Sequence, residues 1–444
     1  MHQPIPAPPR SPATRRPEGP CDEALRLLPG VELLGRVEGS GLREPPHYVR
    51  RSDGQVVQLS RLLFVIAEHA VPGRSLDEIA ECAGARLELR IRPEQARYVL
   101  EEKLHPLGVV AGPDGAVPAL ERVDPLLALR FRVGVVRPSA VRAIAALLEW
   151  LFITPVVAGV LASLAAFDVW LFAVHGGVGR GLSHLIAQPL LALVLVVLTY
   201  ASLAFHECGH AAACRRGGAQ PGAIGIGVYL VWPVMFTDVT DSYRLGRRGR
   251  LRTDLGGVYF NGVFALLLAG AYAWTGFEPL LLAVVSQHLI VLDQFLPWVR
   301  LDGYYVVADL IGVSDLFSRI RPILRSLVPG RAPGPRVTEL KPWARAAVNA
   351  WVLSTLTVLT AMTVFVAAHS PAYFDRIWAS IFVQAHAVGQ AIANGDIVAV
   401  LAGLLSNLFL VLSPVGLALI YVLLCRRLGV ALALTRERRA VVTR

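Results

Sequence analysis

Charge is scarce in this chain. Only 17% of its 444 residues are Asp, Glu, Lys or Arg, while 54% are hydrophobic, and the mean hydropathy is +0.53. A soluble domain of this size has no use for so much apolar surface, so several membrane spans are implied. Framework cysteines are lacking too. The five present (Cys21, Cys82, Cys208, Cys214 and Cys425) have no regular spacing, which excludes a disulfide scaffold and fits small buried residues. No internal repeat is visible, which argues against a transporter built from duplicated halves. Met1 to about Pro29 has no apolar run and is rich in Pro and Arg. It reads as a disordered tail (1–29), not as a secretory signal.

What is present divides into a soluble front and a membrane-embedded rear. Tyr48–Arg51 and Gln55–Leu59 flank Ser52-Asp53-Gly54, a hairpin signal. A helical pattern begins at Leu62. Ser75 with Glu78 has the form of a capping box, and Pro93 opens a third helix through Ala96, Val99, Leu100 and Leu104. Two strands and three short helices predict a small α+β winged-helix domain over 30–112. A Pro/Gly-bearing linker (113–140), a membrane domain (141–430) and a basic cytoplasmic tail (431–444) follow. The fold class expected is therefore mainly α: a polytopic helical membrane protein with a small winged helix in front.

Six spans are expected, at about 145–167, 187–210, 255–275, 279–296, 346–368 and 397–424, each near the ~20 residues that cross ~30 Å of hydrocarbon. The loops after spans two and four and the tail hold twenty-one Arg and Lys, whereas the opposite loops hold only Arg180 and Arg376. The positive-inside rule then puts both termini in the cytoplasm. The net charge of +10 is thus a matter of topology and does not point to nucleic acid. Winged helices often bind DNA through a basic face, but residues 31–110 carry 11 basic against 12 acidic side chains. An extended leader peptide joining a strand edge of the hairpin is the expected partner, and no nucleic acid is expected. The Gly-rich Gly222–Leu230 is a poor helix. It is expected to form strands beside the membrane site, with an edge open to a peptide.

The motif that carries chemistry is His206-Glu207-Cys208-Gly209-His210, at the cytoplasmic end of an apolar run (Gln188–Phe205) without a charge. An HExxH on a helix turns two imidazoles to one face, where both can ligate a zinc ion, and sets the Glu as general base for a water on that ion. Ionisable groups beside lipid are costly, so three together call for a function. Cys208 points off that face and is not counted as a ligand. A catalytic zinc usually takes a third protein ligand. Asp302, in Arg300-Leu301-Asp302-Gly303, is the best candidate, although it could equally cap the helix Tyr304–Leu310. Asp293 and His288 are rivals. His288 is better read as a polar group satisfied by another helix, and Asp238 and Asp241 as solvated or salt-bridged.

These segments carry a resemblance. His206–His210, Gly257-Val258-Tyr259-Phe260-Asn261 and Leu301-Asp302-Gly303 occur in the order and membrane placement of the site-2 protease family of intramembrane zinc metalloproteases. Val258 stands where the family usually has Pro, and Gln294, ahead of Pro297, where it usually has Asn. The resemblance implies Zn2+ on His206, His210 and Asp302, Glu207 as catalytic base, and Asn261 and Gln294 as substrate-binding residues. Tyr229–Tyr243 and Arg300–Asp315 are similar to a bacterial branch of peptide zinc metalloproteases whose front domain resembles the PqqD-like winged helix that grips precursor peptides. That branch implies a metalloendopeptidase of the inner membrane, with a peptide or membrane-protein substrate and a link to peptide-export or modification machinery. The alternative is a non-catalytic peptide-binding component of an export complex, which would have no need of Glu207.

Overall fold

A computed structural model describes residues 26–112, 116–118, 130–181, 190–229, 232–297, 299–327, 330, 332–408, 410–412, 414–416 and 419. Most of the expected disordered tail, most of the linker up to residue 129, the end of the sixth span and the basic C-terminal tail lie outside them. The chain forms two units, 1–36 with 46–122 and 37–45 with 123–444.

In the first unit, strands β1 (Glu32–Arg36), β2 (His47–Arg50) and β3 (Val56–Leu59) form an antiparallel sheet in the order β1-β2-β3. The β2–β3 turn closes with Arg51 N–H donating to the Gln55 carbonyl at 2.8 Å, and Gly54 supplies the left-handed residue at φ 82°. Three helices follow, α1 (Arg61–His69), α2 (Leu76–Leu87) and α3 (Pro93–Val99). The Ser75/Glu78 capping box opens α2 with both reciprocal bonds made. Val49, Leu59, Ile66, Ile79, Leu100 and Leu104 form the core between sheet and helices, each worth about 1.5–3 kcal/mol of burial. Strand β1 is an addition to the expected pair. A register shift between Leu33 and Gly35 breaks the alternation by which a strand is read. It covers one side of β2, so the outer strands are β1 and β3.

The second unit starts, in the described chain after residue 123, with β4 (Arg130–Val136), inside the segment expected as linker. It continues through α4 (Pro138–Leu148), α5 (Thr154–Val169), α6 (Leu190–Arg216), β5 (Ile224–Tyr229) and β6 (Trp232–Thr237). Strand β5 is the Gly-rich segment expected to be extended. It pairs antiparallel with β4 on one side and β6 on the other. Next come α7 (Arg247–Asp254), α8 (Gly256–Thr275), α9 (Pro279–Gln294), α10 (Asp302–Ile311), α11 (Phe317–Ser326), α12 (Pro335–Thr338) and α13 (Pro342–Ala393). An apolar helix, α14 (Ile397–Gly416), ends the described chain.

Among the described residues, five helices are long and apolar enough to cross a membrane: Thr154–Val174, Leu193–Arg216, Gly256–Thr275, Pro342–Phe365 and Ile397–Gly416. Leu161, Val169, Val197, Leu267, Val364 and Leu404 stand exposed on them, as lipid-facing side chains would. The first span begins later than the sequence pattern predicts. A short 3-10 turn over Glu149–Phe152 interrupts the apolar run, and a helix with Pro155 in its first turn restarts it. The fourth expected span is the 16-residue α9, below that length. The fifth is the front of a continuous 52-residue helix.

Two features position the site. Helices α6 and α8 cross where small residues allow their backbones to touch. A Cβ on Gly209 would lie 2.4 Å from the Gly256 carbonyl, and one on Gly256 would lie 2.6 Å from that of Gly209. Such close approach is how membrane helices pack without a hydrophobic driving force between them. Behind α10, the segment 37–45 runs as a strap. Gly41 N–H donates to the Gly312 carbonyl at 3.0 Å, Lys341 N–H to the Gly41 carbonyl at 2.8 Å, and Arg43 N–H to the Glu339 carbonyl at 2.8 Å. Leu42 is buried there with Tyr304, Ile311, Val313, Leu316 and Leu340.

Candidate metal centre

Ser202, His206 and His210 recur every four residues along α6, so they share one face, and all three are buried. That face meets the start of α8 and the start of α10. The Asp302 Oδ2 lies 3.0 Å from His206 Nε2 and 3.2 Å from His210 Nε2, and the two Nε2 atoms are 3.1 Å apart. Asp302 is the first residue of α10, whose N-cap position is Leu301; its Oδ2 is buried with no hydrogen-bond partner. The carboxylate is thus turned to the imidazoles, which decides against the capping reading. Asp302 also lies at the positive N-terminal end of α10, which favours its charged form.

The imidazoles are fixed from behind. His210 Nδ1 donates to the Thr253 carbonyl at 2.8 Å, and His206 Nδ1 donates to Asn261 Oδ1. With both Nδ1 atoms acting as donors, both Nε2 atoms present lone pairs inward. Two lone pairs and a carboxylate oxygen converging within about 3 Å repel one another unless a cation lies among them. Tetrahedral zinc with ligands at 2.0–2.1 Å needs donors roughly 3.3 Å apart. The three donor atoms lie within 4.8 Å of one another in a His-His-Asp group that could hold a metal ion, and their separations of 3.0–3.2 Å fit that need. Space is kept open by Gly257. A Cβ there would lie 2.4 Å from His206 Nε2 and 2.5 Å from His210 Nε2.

Glu207, also buried, turns to the sheet. The Thr237 hydroxyl, at the end of β6, lies 2.7 Å from Glu207 Oε2 and 3.0 Å from the Glu207 carbonyl. Asn261 is fully buried and both ends of its amide are engaged: Oδ1 accepts from His206, and Nδ2 donates to Gln287 Oε1 at 3.0 Å. Ser202 donates to the same Gln287 oxygen. Gln294 is placed differently. It ends α9, and its backbone carbonyl would lie 2.7 Å from a Cβ on Gly303; its side chain is outside this network.

The rivals for third ligand are not in the cluster. His288 pairs with Asp168 at 3.1 Å, the polar contact with another helix that was expected, and the cluster does not include Asp293. Asp241 pairs with Arg244, and Asp238 accepts from Thr240. Cys208 packs at the edge of two apolar clusters. Thr237, Thr253, Ser202 and Gln287 were not singled out in the sequence. Ser202 carried a usable signal, its four-residue step from His206. Gln287 carried another, a buried amide that is costly to leave unbonded inside an apolar helix. Thr253 acts through its backbone, so nothing in its identity marks it.

No family model, no curated protein and no solved structure matches this chain.

Proposed function

We propose that the chain is a zinc-dependent metalloendopeptidase of the site-2 protease type, hydrolysing a membrane-associated or precursor peptide within a bacterial inner membrane. The observation that carries this reading is the convergence of His206, His210 and Asp302 beside a buried Glu207 on the same helix. When bound, zinc would lower the pKa of a water toward ~7 and polarise the scissile carbonyl. Glu207 takes up the water's proton and returns one to the leaving amine, while the Thr237 hydroxyl keeps its carboxylate oriented. Asn261 and Thr253 hold the ring orientations. Asn261 therefore serves the metal centre more directly than the substrate. Gln294 remains the candidate for contact with a peptide backbone. Among the described residues strand β6 has one paired neighbour, β5, and it ends at Thr237. A peptide added along its outer edge would run toward Glu207.

Six crossings remain the reading for topology, with both termini cytoplasmic. Helix α8 has Gly257, in its first turn, by the histidines, and α10 starts at Asp302 by the same histidines. Helix α9 must therefore lead the chain back from the far end of α8 to the level of the site. Its 16 residues span roughly 24 Å at ~1.5 Å each. That length suffices if the site lies below the membrane surface, where a helix need not cover the full ~30 Å. The front unit is read as a PqqD-like winged helix that captures the peptide, linking cleavage to maturation or export machinery.

Cleavage of candidate precursor peptides by the purified chain, compared with Glu207→Gln, tests the proposal. The variant removes the base but no ligand, so it is expected to keep zinc and lose cleavage. Normal cleavage by the variant would refute the mechanism.

A further inference from the structure

Asp302 and Asp309 are seven residues apart on α10, two helical turns, and so lie on the same face. Asp302 meets the imidazoles, and Asp309 meets α7. The Arg250 guanidinium, 5% exposed, donates through Nε to both Asp309 oxygens at 3.0 and 3.1 Å, and its Nη1 donates to the Leu245 carbonyl at 3.0 Å. Asp254 ends α7, and burial first, with Asp309 second, pushes its carboxyl up to about 8. Between Arg250 and Asp254 on α7 lies Thr253, whose carbonyl receives His210 Nδ1. One short helix thus fixes a histidine ring, and the next holds the carboxylate that faces it.

We propose that Arg250 and Asp309 are positioning residues for the metal centre, a part-buried clamp that sets α10 against α7 so that Asp302 and His210 keep ligand distance. The inference rests on the metal-centre reading above. Ligand distances in a metal site tolerate only about 0.2 Å, and Asp302 is at the N-terminal end of α10. The apolar contacts of α10, through Tyr304, Ala308 and Ile311, anchor its other face and fix the fold without fixing this spacing. A buried ion pair is weak as a source of stability but sets geometry well, because its hydrogen bonds are directional. The planar guanidinium holds Asp309 through Nε and the Leu245 carbonyl through Nη1 at once, a fixed spacing of donors that Lys cannot reproduce.

The test is zinc affinity of the full chain in detergent, by chelator competition, with the visible spectrum of the Co2+-loaded chain as a readout of ligand geometry. Arg250→Lys keeps the charge and loses the fork. It is expected to weaken zinc binding about ten- to a hundredfold, the usual effect of removing a residue that orients a ligand, and to change the Co2+ spectrum. Removing one buried charge alone risks misfolding, so the double variant Arg250→Met/Asp309→Leu is the second arm. It should unfold at the same temperature as wild type when metal-free and still bind zinc more weakly. Wild-type affinity and spectrum in both Arg250→Lys and the double variant would overturn the clamp alone. A wild-type chain with no zinc affinity would overturn the metal-centre reading with it.

Discussion

Substituting Gly257 by Ala puts one methyl group against both imidazoles of the candidate metal centre. The added Cβ would lie 2.4 Å from His206 Nε2 and 2.5 Å from His210 Nε2, against an ordinary contact of 3.4–4 Å. One ring, or the start of α8, must move by about 1 Å. That is roughly five times the ±0.2 Å within which metal–ligand distances hold, so at least one imidazole is lost as a ligand. Protein zinc sites with four ligands bind with about 10–16 kcal/mol, so one ligand is worth about 2.5–4 kcal/mol. The expected loss is therefore roughly 10²–10³-fold in zinc affinity. Chelator competition on purified chain measures it. Gly270→Ala, on the same helix with nothing within 4 Å of its Cβ, is the control and should bind zinc normally. Gly257→Ala with wild-type zinc affinity would refute the placement of the ion between the two Nε2 atoms.

Three further outcomes follow from the same geometry. His206→Ala and His210→Ala should abolish stoichiometric zinc, and Asp302→Ala should weaken it; full occupancy in the Asp302 variant, measured by elemental analysis, would mean that another group is the third ligand. Reporter fusions after residues 120, 230, 330 and 440 should read cytoplasmic, with fusions near 178 and 385 external; a cytoplasmic signal at 385 would break the six-crossing count. Full-length chain in nanodiscs should bind precursor peptides and show no salt-sensitive binding of duplex DNA, because the front unit has no excess of basic residues; DNA binding without a peptide response would remove the delivery role of that unit and leave the metal centre untouched.

The parts of this molecule that were legible in the sequence are those where a local pattern has a local cause. The Ser75 capping box, the Ser52-Asp53-Gly54 turn and the HExxH face each follow from spacing within one turn or hairpin, and each is present. The convergence of Asp302 on the histidines was a choice among rivals that only three-dimensional placement could make. Other features were hidden because their cause lies elsewhere in the chain. Strand β4 is held by pairing with β5, about ninety residues on, and reads as linker by itself. The late start of the first span turns on one 3-10 interruption, which hydropathy averaged over a window cannot see. Asn261 was marked by its motif, but its bond to the His206 ring was not. Gly257 belonged to the same motif, and its role as the gap beside the ligands appears only once α6 and α8 cross.

The strap at 37–45 has a consequence in time. Its partners lie far along the chain: Ser40 bonds Gly312, Arg43 bonds Leu340, and Lys341 bonds Ser40, at separations of 272 to 301 residues. The chain leaves the ribosome N-terminus first, so Leu42 waits, exposed, while both histidines and then Asp302 are made. The apolar cluster behind α10 closes only after about residue 350, when Val348 and Trp351 of α13 join it. Contacts of such long separation form late in folding. A nascent chain can thus contain both histidines, Glu207 and Asp302 before the helix that carries Asp302 has a floor to rest on. Assembly of the candidate metal centre is timed by the strap, and the cluster is completed only once most of the apolar helices around it have been made.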